Sequence, residues 1–140
     1  MQTMRTPDGR LEVRVGYAAD DGGKGVAYAQ LSTGGNGLLR IGFRAARHRL
    51  QGEQDIGYAA LTAVAKALAQ RKFRDASFVI ADRTLVDQIV SGRNVAEAFA
   101  IAYVRLRCAL NALARFSVRV GPTDDLAQRA RAEVALNVAA

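Results

Sequence analysis

Residues Asp75 to Gly92 read DASFVIADRTLVDQIVSG, in which an apolar run leads directly into an amphipathic segment. The run from Phe78 to Ala81 is short and apolar enough to be a strand that is buried on both faces. Asp82 ends it, and a short helix is predicted next, stopped by Gly92. A carboxylate at a strand tip can cap the next helix or hold a metal ion. The TLVD pattern from Thr84 to Asp87 is typical of a capping box, which favours the metal role for Asp82.

The rest of the chain supplies the elements around this stretch. Period-two alternation predicts strands at 11–17, 26–32 and 38–43, joined as an antiparallel meander. Helical spacing follows at 52–73, 94–114 and 122–140, with Thr123 as an N-cap, and a further strand covers 115–121. The order β-β-β-α-β-α-α-β-α predicts an α/β fold with a five-stranded mixed sheet and helices on both faces. We expect residues 1–10 to be an N-terminal tail and 11–140 a single domain.

The charge of the chain points to a polyanionic partner. Its 140 residues carry a net charge of +7, and seventeen of the twenty basic residues are arginine. The planar guanidinium suits phosphate oxygens, which favours nucleic acid as a partner. Four arginines lie on the third predicted strand and its exit loop, where they can follow a backbone without reading sequence: Arg40, Arg44, Arg47 and Arg49. The same four residues equally fit a solubilising basic face.

Cysteine usage and hydropathy predict a cytoplasmic location. The single cysteine, Cys108, forbids an internal disulfide, fits a reducing compartment and is expected to be buried as a small hydrophobe. No run approaches the ~18 apolar residues of a membrane span. The opening MQTMRTPDGR lacks the apolar segment of a secretory signal.

The element order, and most closely the stretch YAALTAVAKALAQRKFRDASFVIADRTLVDQIVSG from Tyr58 to Gly92, resembles the ribonuclease H-like superfamily. That resemblance implies four acidic positions around two magnesium or manganese ions, at the ends of strands one and four and in the first and last helices. Asp82 matches the strand-four aspartate. The other three positions fall on uncharged residues, namely Ala18, Gly57 and Gln128. The resemblance therefore implies a degenerate acidic site.

An acidic neighbour accompanies each missing carboxylate. Asp20 lies two residues beyond Ala18, and Glu53 and Asp124 lie one helical turn before Gly57 and Gln128. A displaced catalytic site of Asp20, Glu53, Asp82 and Asp124 is therefore an alternative. A turn is about 5.4 Å, whereas metal–oxygen distances tolerate a few tenths of an ångström. Acidic residues are also ordinary in hairpin turns and first helical turns.

The remaining polar candidates add no catalytic group. The family's mobile histidine before the last helix has no counterpart, because the single histidine, His48, lies in the basic loop. His48 also lacks a cysteine or a second histidine with which to bind zinc.

Three function hypotheses follow. The first is a non-catalytic or impaired ribonuclease H-like protein that binds RNA or an RNA–DNA hybrid and needs no cofactor. The second is a Mg- or Mn-dependent ribonuclease H that cleaves the RNA of a hybrid through Asp82 and the displaced carboxylates. The third is a structural module whose apolar helix, Ala98 to Leu113, packs against a partner or a second copy.

Overall fold

The computed structural model describes residues 11–32, 37–45, 53–93, 95 and 99–139. The strands are β1 (Leu11–Ala19), β2 (Lys24–Leu31), β3 (Leu38–Arg44), β4 (Asp75–Ile80) and β5 (Arg115–Val120). The helices are α1 (Glu53–Gln70), α2 (Arg83–Ser91), α3 (Ala100–Asn111) and α4 (Asp124–Ala139). The predicted element order is confirmed.

The five strands form one mixed sheet in the order β3-β2-β1-β4-β5. The first three strands pair antiparallel, whereas β1 pairs parallel with β4 and β4 pairs parallel with β5. The carboxyl ends of β1, β4 and β5 therefore meet at one edge of the sheet. Open sheets place their ligands at such an edge.

Helices cover both faces of the sheet, as the alternation of elements predicts. On one face, Val13 and Val15 of β1 share the main core with Leu61 and Val64 of α1, and α3 adds Leu106 and Leu110. On the other face, α4 packs on a smaller cluster formed by Val26, Tyr28, Leu126 and Ala130.

A glycine in β1 allows α4 to lie directly on the sheet. A Cβ atom at Gly16 would stand 2.4 Å from the Ala127 nitrogen and 2.6 Å from the Leu126 carbonyl carbon. Those neighbours are helix backbone, which cannot move aside without shifting the whole helix. Gly16 thus fixes how closely the first turn of α4 approaches the end of β1.

An ion-pair cluster holds the middle of α4 against β2 and β3. The Glu133 carboxylate accepts hydrogen bonds from the Arg40 guanidinium and from the Tyr28 hydroxyl. The Arg129 guanidinium lies 4.9 Å from the centroid of the Tyr28 ring. The Arg40 hydrogen bond, followed by that of Tyr28, lowers the pKa of Glu133 from 4.5 to about 2. Glu133 is therefore ionised at neutral pH.

Two predictions from the sequence are wrong. The capping box at Thr84 is not formed, because α2 begins earlier, at Arg83, and Asp82 is its N-cap. Cys108 is exposed, because the buried side of α3 is made by Leu106, Ala109 and Leu110. A uniformly apolar helix gives no signal for which of its sides faces the core.

Among the described residues, no helix is long and apolar enough to cross a bilayer.

Candidate functional site

A cleft of about 570 Å³ opens where the carboxyl ends of β1 and β4 meet the first turns of α2 and α4. Its walls include Tyr17 and Ala18 from the end of β1. Four charged residues also line it: Asp82, Arg83, Asp124 and Arg131. Two carboxylates and two guanidinium groups therefore share the cleft.

Asp82 follows β4 and caps α2. Its backbone is extended, with φ −81° and ψ 100°, and its Oδ1 accepts a hydrogen bond from the Leu85 nitrogen at 3.1 Å. The Asp82 carbonyl also accepts the first helical hydrogen bond, from Val86. The capping alternative is therefore present in the structure. The carboxylate is partly exposed and lines the cleft, so capping and ligand binding are compatible.

The other acidic candidates lie in different places. Asp124, in the first turn of α4, is exposed and lines the same cleft as Asp82. The Asp20 Oδ1 accepts hydrogen bonds from the Gly22 and Lys24 nitrogens at 2.9 and 3.0 Å, which closes the β1–β2 turn outside the cleft. Glu53 begins α1, and its side chain lies outside the described residues.

Of the three uncharged family positions, Ala18 lines the cleft, and Gly57 and Gln128 do not. The Ala18 side chain packs in the cluster under α4, and Gln128 is exposed and does not line the cleft. Gly57 is buried in α1, where a Cβ atom would stand 2.8 Å from the Tyr17 hydroxyl and 2.6 Å from a methyl of Leu85. The wall facing Gly57 is therefore aromatic and aliphatic.

The described carboxylates are not arranged as a binding site for two metal ions. Two bridged cations need several hard oxygen ligands that converge on them. Among the residues that the structure describes, no three His, Cys, Asp or Glu side chains come together as a metal site. Among the described residues, Asp82 and Asp124 are the only acidic side chains that line the cleft. Arg83 and Arg131 line it as well.

A buried tyrosine, Tyr58, connects two of the helices that contribute residues to the cleft. The Tyr58 hydroxyl donates a hydrogen bond to the Gln88 Oε1 at 2.6 Å, which links α1 to α2. Its ring packs against Phe99 and Tyr103, with centroids 5.9 and 6.4 Å away. Burial, with the nearby Tyr103 and Asp82, raises the pKa of Tyr58 to about 12. Tyr58 is thus neutral at neutral pH and links α1 to α2 without adding a charge.

The arginines predicted to form a basic strand have different surroundings in the structure. Arg40 binds Glu133 and contributes to the attachment of α4. Arg44 is exposed at the end of β3, where it is paired in register with Lys24. Arg47 and Arg49 lie outside the described residues, as does His48.

Sequence reasoning missed three residues that line the cleft. Tyr17 alternates with Val13 and Val15 along β1, so the period-two pattern indicates a core residue and gives no signal for the cleft. Arg83 directly follows Asp82, so its proximity could have been inferred. Arg131 lies seven residues after Asp124 on the same helix face, a spacing that indicates a shared surface.

The comparisons with known proteins agree with this architecture. The chain superposes on RNase H1 from the halophilic archaeon Halobacterium salinarum NRC-1 with a TM-score of 0.70 and 21% identity, over 92% of this chain and 99% of that one. A second match is the N-terminal RNase H domain of a Mycobacterium tuberculosis protein, solved as a maltose-binding-protein fusion. Its TM-score is 0.62 and its sequence identity is 15%, over 91% of this chain and 99% of that one. For LC11-RNase H1 in complex with an RNA/DNA hybrid, the TM-score is 0.60 and the sequence identity is 14%, over 88% of this chain and 92% of that one.

Comparison of the sequence alone finds no related protein. No protein-family model matches the chain, and no curated protein matches it. The sheet order and its helices define an α/β protein with a mixed five-stranded sheet. This is the ribonuclease H-like fold, as the structural matches show.

Proposed function

We propose that this protein binds the backbone of RNA or an RNA–DNA hybrid across the cleft and has lost efficient two-ion hydrolysis. The observation that carries the proposal is the composition of the cleft, where Arg83 and Arg131 accompany Asp82 and Asp124. One solved protein of the same fold, LC11-RNase H1, holds an RNA/DNA hybrid.

The balance of charge supports this function. Two carboxylates would repel a phosphate backbone unless cations neutralise them. Here the two guanidinium groups supply that neutralisation from the protein itself, and guanidinium binds phosphate oxygens in a bidentate manner. Arg44 is exposed at the end of β3, and we propose that Arg44, Arg47 and Arg49 add contacts to phosphates. The net charge of +7 adds a long-range attraction for any nucleic acid.

The test is hybrid binding by fluorescence anisotropy with the double variant Arg83→Gln/Arg131→Gln. We expect at least about tenfold weaker binding, and a salt slope that is smaller by about 1.8 if two phosphate contacts are lost. The matched control is Arg71→Gln/Arg74→Gln, which removes two exposed arginines at the amino end of β4. Equal weakening by the control would contradict binding at the cleft.

A metal-dependent ribonuclease is the second candidate, because Asp82 and Asp124 share one cleft. It predicts Mn²⁺-dependent cleavage of the RNA strand of a hybrid, abolished by Asp82→Asn. Binding of the hybrid without cleavage over a range of Mn²⁺ concentrations would favour the first function. Cleavage that survives Asp82→Asn would indicate a contaminating nuclease.

Self-association stays a prediction. The α3 side chains of Ile101 and Val104 are 71% and 57% exposed, which leaves apolar surface on the helix that the sequence singled out. Light scattering at high concentration measures it directly. A strict monomer would exclude this helix as a contact between copies.

A further inference from the structure

The register of β1 with β4 indicates which β1 residue corresponds to Asp82. In the parallel pair of β1 and β4, Val13 is level with Phe78 and Arg14 with Val79. The paired segment ends there, and extending the same offset by three residues beyond it would bring Tyr17 level with Asp82. Ala18, the residue that the family resemblance indicates, is one position further along the strand.

Side-chain parity gives the same assignment. Val13, Val15 and Tyr17 alternate onto the face that packs against α1, where Tyr17 contacts the main core cluster. Ala18 points to the opposite face and packs under α4. Since Gly57 belongs to α1, only the Tyr17 face of the strand can meet it.

Tyr17 and Gly57 are also fitted to each other. A Cβ atom at position 57 would stand 2.8 Å from the Tyr17 hydroxyl oxygen and 3.4 Å from the Tyr17 Cζ. The other near neighbour, a Leu85 methyl at 2.6 Å, belongs to a fully buried side chain. Glycine inside a helix is unfavourable, so its presence at this close contact has a packing reason.

We infer that Tyr17 occupies the strand-one carboxylate position and that Tyr17 and Gly57 form a coupled pair that excludes a metal ligand from the α1 wall of the cleft. A carboxylate introduced at position 57 would meet both the Tyr17 hydroxyl and a Leu85 methyl, and replacing Tyr17 removes the first of these obstructions. An aspartate introduced at position 17 lacks its helix partner while position 57 is glycine. Both positions must change together to rebuild a converging set with Asp82 and Asp124.

The test is a double-mutant cycle on the full chain with Tyr17→Asp, Gly57→Glu and the combined variant, each titrated with Mn²⁺ by calorimetry. We expect the combined variant to bind Mn²⁺ at least about tenfold more tightly than either single variant, a difference in binding free energy of about 1.4 kcal/mol. Binding by the combined variant that is no tighter than by the better single variant would overturn the inference.

A stability readout keeps the test decisive if Gly57→Glu does not fold. Gly57→Ala requires the same neighbours to move, so we expect a lower melting temperature than wild type. The decrease should be smaller in a Tyr17→Ala background, where the phenol has been removed. Equal decreases in both backgrounds would show that the two positions are not coupled.

The inference rests on the proposed loss of two-ion hydrolysis. Different experimental results would contradict the proposed function and the Tyr17–Gly57 coupling. Wild-type protein that binds Mn²⁺ tightly and cleaves a hybrid would contradict the proposed function. Wild-type protein that does neither, with a combined variant that also fails to bind Mn²⁺, would contradict the coupled pair alone.

Discussion

Asp82 combines a structural contact with a position suited to binding. Its Oδ1 accepts the Leu85 N–H, and its carboxylate also lines the cleft. An aspartate at this strand end would therefore be favoured even if the protein never bound a metal. The presence of Asp82 alone is weak support for catalysis, because the capping contact accounts for its residue type.

The capping role makes the first prediction. Asp82→Ala removes the acceptor for the Leu85 N–H and should lower the free energy of unfolding by about 1 kcal/mol. Asp82→Asn should stay within a few tenths of a kcal/mol of wild type, because asparagine is an equally good N-cap. Urea denaturation measures both variants. A loss with asparagine as large as with alanine would mean that the negative charge, and not the cap, carries the stability.

At the scale of elements, α4 determines the form of the cleft. Gly16 lets its first turn approach β1, and Glu133 attaches its middle to Arg40 and Tyr28. Both contacts position Asp124 and Arg131, which lie on this helix and line the cleft. Changes at a distance from the cleft should therefore alter binding through the placement of α4.

Gly16→Ala should cost about 3 kcal/mol of folding stability, the upper part of the range for overpacking, because the obstructing atoms are helix backbone. Hybrid affinity should fall as well. The matched control is Gly42→Ala, where a Cβ atom would find its nearest neighbour only at 4.0 Å. Similar losses at both positions, measured by thermal unfolding, would show that the close approach of α4 is not the cause.

Glu133→Gln should lower stability by about 1 kcal/mol at neutral pH, a figure that allows for solvent screening of this partly exposed pair. The folded pKa of Glu133 is lowered from 4.5 to about 2, mainly by the Arg40 hydrogen bond. Its stabilisation is therefore complete above pH 4.5 and is lost as the pH falls through about 2.

The measurement is the difference in unfolding free energy between wild type and Glu133→Gln as a function of pH. It should shrink across that acidic window. Asp21→Asn, at an exposed turn, serves as a control for the change in net charge. A difference that remains constant down to pH 2 would rule out the ion pair as its source.

For the whole molecule, the net charge of +7 and the partly neutralised cleft predict binding that is dominated by phosphate contacts. Such binding discriminates little between base sequences, because backbone contacts carry no sequence information. Preference for a hybrid over other polyanions must then come from the shape of the surface around the cleft.

Raising salt from 50 to 200 mM should weaken hybrid binding by about 10²-fold if about four phosphates are contacted. Hybrids of unrelated sequence should bind with similar affinity. Heparin competition supplies the control, because a purely electrostatic surface would not distinguish heparin from the hybrid. Equal affinity for both would contradict a dedicated nucleic-acid site.

The sequence by itself determined the elements and their order, because period-two and helical periodicities are local properties of the backbone. It also located the strand end at Asp82. Tertiary structure decided which side chains meet there. Tyr17 and Gly57 are forty residues apart, and Arg40 and Glu133 are ninety-three apart. Such pairs are set by strand register and helix packing, which no local pattern encodes, so the walls of the cleft were established only by the fold.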